Sequence, residues 1–272
     1  MESESLVRLA TFLGMLVTVG AFETFFPRKQ LTAPKPGRWL ANISIVLLDS
    51  ILVRLLIPLG ATGASLIADS HGWGVLNLIE LPLWSGVLIA TVLLDLAIYL
   101  QHRAFHAIPV LWRLHMVHHS DENIDVSTGL RFHPIEILLS MLFKMTMVVL
   151  IGAPALAVLI FEIALNSTAM FNHGNLGLPP GLDRYLRLLI VTPDMHRVHH
   201  SVVRAETNSN FGFSLPCWDR IFGTYRPYPA AGHKAMVIGL SQFPKTEGLV
   251  WMLLLPFIGK TGDELPDPDS RN

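Results

Sequence analysis

Four long apolar stretches leave this chain few folds to choose from. Leu6 to Phe26 is apolar apart from Arg8 and Glu23 near its ends, and Trp39 to Leu59 is interrupted only by Asp49 and Arg54. Leu81 to Leu100 carries one charge, Asp95. About 20 apolar residues suffice to span a bilayer. Ile135 to Phe171 is too long for one ordinary span, and Gly152-Ala153-Pro154 breaks it in the middle, because Pro clashes with the preceding helical turn. A helical hairpin is expected there, either two spans or a re-entrant pair. The charged fraction is 15%, against about a quarter in soluble domains. The expected fold is an all-α integral membrane protein. It has about four to five membrane helices, one of them a Pro-broken hairpin, under a histidine-rich cytosolic cap. Residues 1–80 read as N-terminal membrane helices and loops, 81–228 as the catalytic domain, and 229–272 as a C-terminal amphipathic segment and disordered tail.

Several function classes drop out on composition. A net charge of −1 gives no field that would favour nucleic acid. The single cysteine, Cys217, excludes an intrachain disulfide framework and any CxxC zinc or redox site. The start Met1-Glu2-Ser3-Glu4-Ser5 is acidic where a signal peptide is basic, so the first apolar run is expected to be a retained anchor.

Charge sets the expected topology. The segment 27–38 holds Arg28, Lys29, Lys35 and Arg38, whereas the loop expected from Gly60 to Gly74 has no Lys or Arg. Placing the basic segment in the cytoplasm brings 101–134 back to the cytoplasm after the third run. The hairpin then returns 172–272 to the same side. Lys144 falls within the hairpin and must snorkel, pair or face the protein interior.

Both of those polar segments are rich in histidine. His102 and His106 form an HxxxH; His115, His118 and His119 form an HxxHH; His196, His199 and His200 repeat it. Residues three and four apart share a helical face, so each group can turn two or three imidazoles toward one ion. Neutral imidazole suits iron, zinc, copper and nickel. Eight histidines exceed the needs of one ordinary metal, and two metals are the economical reading. Scattered core or surface histidines would not fall into three such groups on one side of the membrane. There is no HExxH and no ExxH. His119-Ser120-Asp121 gives a formal HxD, but that reading leaves the other histidines without a purpose.

These boxes resemble those of the fatty acid hydroxylase / sterol desaturase superfamily of membrane histidine-box di-iron oxidases. Further similar stretches are Leu111-Trp112-Arg113, Leu130 to Glu136, Asn172 to Leu176, Glu206 to Gly212, and Trp218 to Tyr225. The similarity covers roughly residues 80–228. It implies two iron ions, O2 as co-substrate, and hydroxylation or desaturation of a membrane lipid such as a fatty acyl chain or sterol. The metal ligands it implies are His102, His106, His115, His118, His119, His196, His199 and His200, with His173 matching a position that often adds a further ligand. Some relatives carry another histidine four residues from that position; here Ala169 and Gly177 stand there, so that ligand is absent. His133 matches the family's RxHPxE pattern and reads as a ligand, an outer donor or a helix-start residue.

Asp95, Tyr99, His102 and His106 fall at i, i+4, i+7 and i+11 and so form one helical stripe. Asp95 is therefore expected to orient a ligand imidazole or its water, with a polar contact between helices as the alternative. Asp194, Asn172 and Asn175 are weaker candidates for the same task. Trp218-Asp219-Arg220 is expected to close the cap structurally, and Asp49 and Arg54 to pair with each other or with the bundle. The chain has no flavin, nicotinamide, haem or iron–sulfur fingerprint. A separate electron donor (a ferredoxin, cytochrome or reductase) is implied, and the lipid substrate enters from the bilayer. The rival readings are a membrane metal transporter or metal-binding protein without oxidase activity. Transport sites tend to lie near the midplane within the spans, and here the boxes flank the spans.

Overall fold

The computed structural model describes residues 2–32, 34–243 and 248–258, and among them every regular element is helical. Proline marks where the helices begin. It has no N–H to lose at a first turn and its fixed φ suits a helix start. Pro34 precedes α2 (Lys35–Leu56), Pro82 precedes α4 (Leu83–Ala107) and Pro154 precedes α7 (Ala155–His173). Pro109 opens α5 (Pro109–His119) and Pro134 opens α6 (Pro134–Ile151). The N-terminal helix α1 covers Glu2–Phe25. Among the described residues, five helical segments are long and apolar enough to cross a membrane, which makes this a multi-pass membrane protein.

The hairpin resolves into two full arms. At 1.5 Å per residue, α6 and α7 are each about 27–29 Å long, close to the ~30 Å of a hydrocarbon core. Gly152 ends α6 in the left-handed region (φ 70°), where its N–H reaches Val148 O and Val149 O. A glycine takes that conformation without a Cβ penalty.

The segment expected to be a loop from Gly60 to Gly74 is largely helix α3 (Gly60–Ser70). Ala61, Ala64, Ser65 and Ala68 are its buried residues, at i, i+3, i+4 and i+7. This small-residue face lets α3 pack closely against both α6 and α7, and Ser65 Oγ donates to Ala153 O at the hairpin turn. The absence of Lys and Arg is kept; the absence of structure is not.

The two hairpin arms make little contact with each other and pack instead on α3 and α4. A splayed pair of arms leaves room between them at the end where the cap sits. Lys144 finds a partner across that gap: its Nζ lies 2.5 Å from Glu162 Oε1, and Arg8 bonds the other oxygen of the same carboxylate.

The cap and the basic segment share one end of the bundle. Pro27 bridges Leu176, Arg28 forms a two-point ion pair with Asp194 at 2.8–2.9 Å, and Lys29 N donates to Asn175 Oδ1. Asp49 and Arg54 do not pair with each other. They lie five residues apart on α2, one buried and one exposed. The short helix Leu249–Leu254 buries Met252 on α2 and α5, and Leu255 follows it into the same core. The tail from Asp263 to Asn272 lies outside the described residues.

What ties α2 to the cap is a buried ion cluster. Arg38 donates from Nε and Nη2 to the two oxygens of Asp121 (2.8 and 2.9 Å) and from Nη1 to Asp125 (2.8 Å). Trp39 Nε1 also reaches Asp125, and Thr128 Oγ1 holds Asp121 at 2.7 Å. The Arg38 guanidinium beside it holds the Asp121 carboxyl down at about 2, against the opposing effect of burial. Arg38→Met is expected to leave two buried carboxylates without their counter-charge. Removing one partner of a buried pair costs about 3–5 kcal/mol. Thermal unfolding in detergent micelles measures this; a loss below about 1 kcal/mol would contradict the assignment.

Candidate metal centre

Two membrane helices and two cap helices deliver the histidines to one place. His102 and His106 sit in the last turns of α4. Ile108 ends that helix and Pro109 restarts the chain as α5, which carries His115, His118 and His119. His173 is the last residue of α7. Beyond the short helix α8 (Pro180–Leu186), helix α9 (Pro193–His199), capped by Thr192, carries His196 and His199, and His200 follows as its C-cap.

These nine side chains form two groups. His102, His106, His115, His119 and His199 make one; His118, His173, His196 and His200 make the other. Within each group the ligand nitrogens all lie within 4.8 Å of one another. Each HxxHH is thus divided between the groups: α5 gives His115 and His119 to one and His118 to the other, and α9 gives His199 to the first and His196 and His200 to the second.

The nitrogens facing inward are Nε2. His102 lies 3.1 Å from both His115 and His199 by Nε2, and His173 lies 3.0–3.2 Å from His118, His196 and His200. Five of these rings use Nδ1 as a donor to a main-chain carbonyl or a carboxylate, and His106 Nδ1 lies 3.3 Å from Asn208 Oδ1. His102 donates to Phe211 O, His118 to Arg131 O, His173 to Ala169 O, His199 to Ser209 O, and His115 to Glu136 Oε1 at 2.7 Å. A neutral imidazole that donates from Nδ1 presents a lone pair at Nε2. Lone pairs aimed at each other across 3 Å repel. A cation between them reverses the sign: two imidazoles about 2.1 Å from one ion and at right angles are about 3 Å apart. Nε2 of His106 and of His119 is also buried with no hydrogen-bond partner among the described residues. The donor set therefore fits two metal ions, one facing five imidazoles and one facing four.

Burial keeps the ligands outside the spans neutral. It holds the His115 imidazole down at about 3 and pushes those of His118, His119, His196, His199 and His200 well below their ordinary range, with neighbouring histidines adding to the effect. Phe132 stacks on His118 at 4.4 Å between ring centroids and 7°, which fixes the plane of that ring. Gly129 faces the His173 side of the site. A Cβ there would come within 3.0 Å of Ala169 O and 3.4 Å of His173 Nδ1, so a side chain would crowd the close approach of the 126–130 turn to α7.

Other candidates from the sequence take different places. The Asp95 carboxylate meets no imidazole. It accepts from Trp218 Nε1 at 2.8 Å and Leu215 N at 3.3 Å, so it anchors the cap to α4. Tyr99 on the same stripe bonds Thr224. The stripe is real, but the cap descends along α4 and takes its lower half. His133 is the N-cap of α6, its Nδ1 accepting from Ile135 N and its Nε2 near Leu253 O; it belongs to neither group. Asn172 holds Phe213 O, Asn175 holds Lys29, and Asp194 holds Arg28. Asp121 is occupied by Arg38 and Thr128, which removes the HxD reading. Asp219 accepts from the N–H groups of Phe211 and Gly212 and from Thr224, closing the cap as expected. The residue that spacing does not reveal is Glu136, 21 residues from His115 in the chain but in direct contact with it. Its place in the 130–136 stretch was the available signal.

A cavity of about 190 Å³ opens beside His102 and His115, between α4, α6 and α7. Phe105, Phe132, Ile137, Met141, Leu165 and Phe213 supply its apolar walls.

The sequence matches the fatty acid hydroxylase family model over residues 87–224. An ornithine lipid hydroxylase of Rhizobium tropici is 28% identical over 227 residues, which cover 80% of this chain and 66% of that protein. The alkylglycerol monooxygenase of Homo sapiens is 30% identical over 152 residues, 54% of this chain and 31% of that protein. That of Xenopus tropicalis is 32% identical over 163 residues, 57% of this chain and 34% of that protein. The chain thus spans just under two thirds of the first relative and about a third of the monooxygenases. No solved structure matches.

Two outcomes are expected. Metal analysis of the purified protein should give two ions per chain, fewer in His173→Ala and two still in His133→Ala; loss of metal in the latter would contradict its placement. Metal-depleted protein should lose stability as pH falls below about 6.5, the unfolded imidazole value. The folded values of the buried cap histidines lie lower, so the unfolded chain binds more protons in that window and acid favours it. Flat stability between pH 7 and pH 5 would oppose this.

Proposed function

The chain belongs to the fatty acid hydroxylase family, and we propose that it is an O2-dependent membrane lipid hydroxylase with two iron ions in its histidine centre. The observation that carries this reading is the pair of imidazole groups with converging Nε2 atoms, one of which lines a largely apolar cavity through His102 and His115. Five imidazoles exceed the four ligands of an ordinary zinc site, which favours a metal of higher coordination number. Bound iron would supply O2 activation and removal of a substrate hydrogen, chemistry that belongs to the metal rather than to the protein. The overall change converts a C–H bond, O2, two electrons and two protons into C–OH and water.

The side chains supply ligands, orientation and dryness. Glu136 and four main-chain carbonyls hold Nδ1–H and so keep Nε2 of five rings free for metal. Phe105, Phe132 and Phe213 line the space beside His102 and His115 and exclude water from the reacting bond. The cavity lies between membrane helices, which suits a substrate that arrives from the bilayer. The relatives named above are a lipid hydroxylase and monooxygenases, which favours hydroxylation over desaturation. The basic segment 27–38 shares its end of the bundle with the cap, so the positive-inside rule puts the centre on the cytoplasmic face. A separate ferredoxin, cytochrome or reductase delivers the electrons there. A transport role is disfavoured because the imidazoles cluster at helix ends, beyond the span centres.

The test is reconstitution. Iron-loaded protein in nanodiscs of host lipid, given a chemical reductant and ¹⁸O2, should yield lipid carrying one ¹⁸O atom by mass spectrometry. His199→Ala should reduce that product at least a hundredfold. Metal uptake without any oxidised lipid would favour the metal-binding alternative.

A further inference from the structure

Among its apolar walls the cavity carries polar side chains that hydrocarbon alone would not need. Its α6 wall presents Glu136, Ser140 and Lys144, at i, i+4 and i+8. Its α7 wall presents Asn166 and Ala169, on the stripe that runs from Glu162 to His173. Because the arms are antiparallel, these residues fall into rows. Glu136, bonded to His115, lies in the metal layer. One turn deeper, about 6 Å along α6, comes a row of Ser140, Gln101 and Asn166. A further turn, about 12 Å from Glu136, comes the Lys144–Glu162 pair.

Each row has its own balance of donors and acceptors. Gln101 Nε2 donates to Ser140 Oγ at 3.0 Å, so those two serve each other. The Asn166 carboxamide has no hydrogen-bond partner among the described residues, and the residue is exposed although it sits within a membrane-spanning helix. In the deepest row Arg8 and Lys144 share the single carboxylate of Glu162, which leaves one positive charge in excess. An amide without a partner in apolar surroundings costs about 1–3 kcal/mol, and an uncompensated cation in a span costs more. Both features ask for the same complement, an oxygen acceptor.

We infer that the cavity recognises a lipid through a hydrogen-bond-accepting oxygen, an ester or amide carbonyl or a carboxylate, held by the Asn166 carboxamide on the Lys144 side of the metal layer. This rests on the lipid-oxidation reading and narrows its substrate class. A purely hydrocarbon segment would leave Asn166 unsatisfied. The row spacing also sets where oxidation falls. An extended chain advances about 1.2 Å per bond, so the oxidised carbon lies within about five bonds of the acceptor rather than at a remote chain end. Asn166 acts as a positioning residue.

The test is equilibrium binding of tritiated methyl palmitate and tritiated octadecane to the metal-loaded full chain in detergent micelles under argon, with empty micelles subtracted. The wild-type protein should hold the ester about tenfold more tightly, the effect of about 1.4 kcal/mol. Asn166→Leu should abolish the preference by weakening the ester alone, with metal content unchanged. Asn166→Gln, which keeps the carboxamide, should retain most of it. If the leucine variant does not assemble, Asn166→Met replaces it. Equal affinities in the wild type, or a preference that survives loss of the amide, would overturn the inference. No turnover occurs under argon, so that failure leaves lipid oxidation standing. Failure of lipid oxidation would instead appear as a persistent ester preference with no ¹⁸O product.

Discussion

Nine imidazoles are forced to point their lone pairs at one another, and most of the structure exists to hold them that way. Burial keeps the cap rings neutral, and five of the nine rings are locked by a bond from Nδ1 to a carbonyl or to Glu136. Such packing is repulsive until cations occupy it. The chain accepts this because the segments that carry the rings are anchored elsewhere: α4 by Asp95 and Tyr99 to the cap, the turn after α5 by Arg38 of α2, and Asn175, just beyond His173, with Val126 by Glu23 of α1. The polar residues that appear out of place in apolar helices are largely these anchors.

The same helices shape the access route. Consecutive arms of a helical hairpin ordinarily pack on each other. Here α3, with its small-residue face, and α4 keep α6 and α7 apart, and the gap becomes the cavity beside His102 and His115. The charges that a bilayer would reject lie across that gap, where Lys144 and Arg8 share the one carboxylate of Glu162. Polar burial and cavity formation are therefore one solution. Splaying the arms requires something to bridge them, and an ion pair can do so at a distance that apolar contact cannot.

The boxes were legible because helical periodicity makes i, i+3 and i+4 neighbours by local geometry alone, and because hydropathy separates spans from cap. His173 was legible only through resemblance, since one histidine at a helix end has no pattern of its own. Asp95 shows the limit of the stripe argument. Its periodicity with His102 held, yet periodicity says nothing about which neighbour covers which part of a helix, and the Trp218 segment covers this part. Glu136 failed in the opposite sense: no local period links it to His115, which is 21 residues away. His133 had the right residue type beside it all, but Pro134 fixes it at a helix start, where its ring caps Ile135 N.

Read alone, the sequence determined the helical class, the four apolar runs with their proline break, the shared end of the basic segment and histidines, and the eight box histidines that gather at one place. These depend on spacing and hydropathy, which act within a few turns of chain. Only the tertiary structure decided how each HxxHH is divided between two groups, that Gly60 to Ser70 is helix, that Asp95 serves the cap, and that Asn166 and Lys144 share a cavity with the metal layer. Each of those depends on which faces of distant helices meet. Such meetings are chosen by packing and by the cost of leaving buried polar groups unpaired, and neither is expressed in any short stretch of sequence.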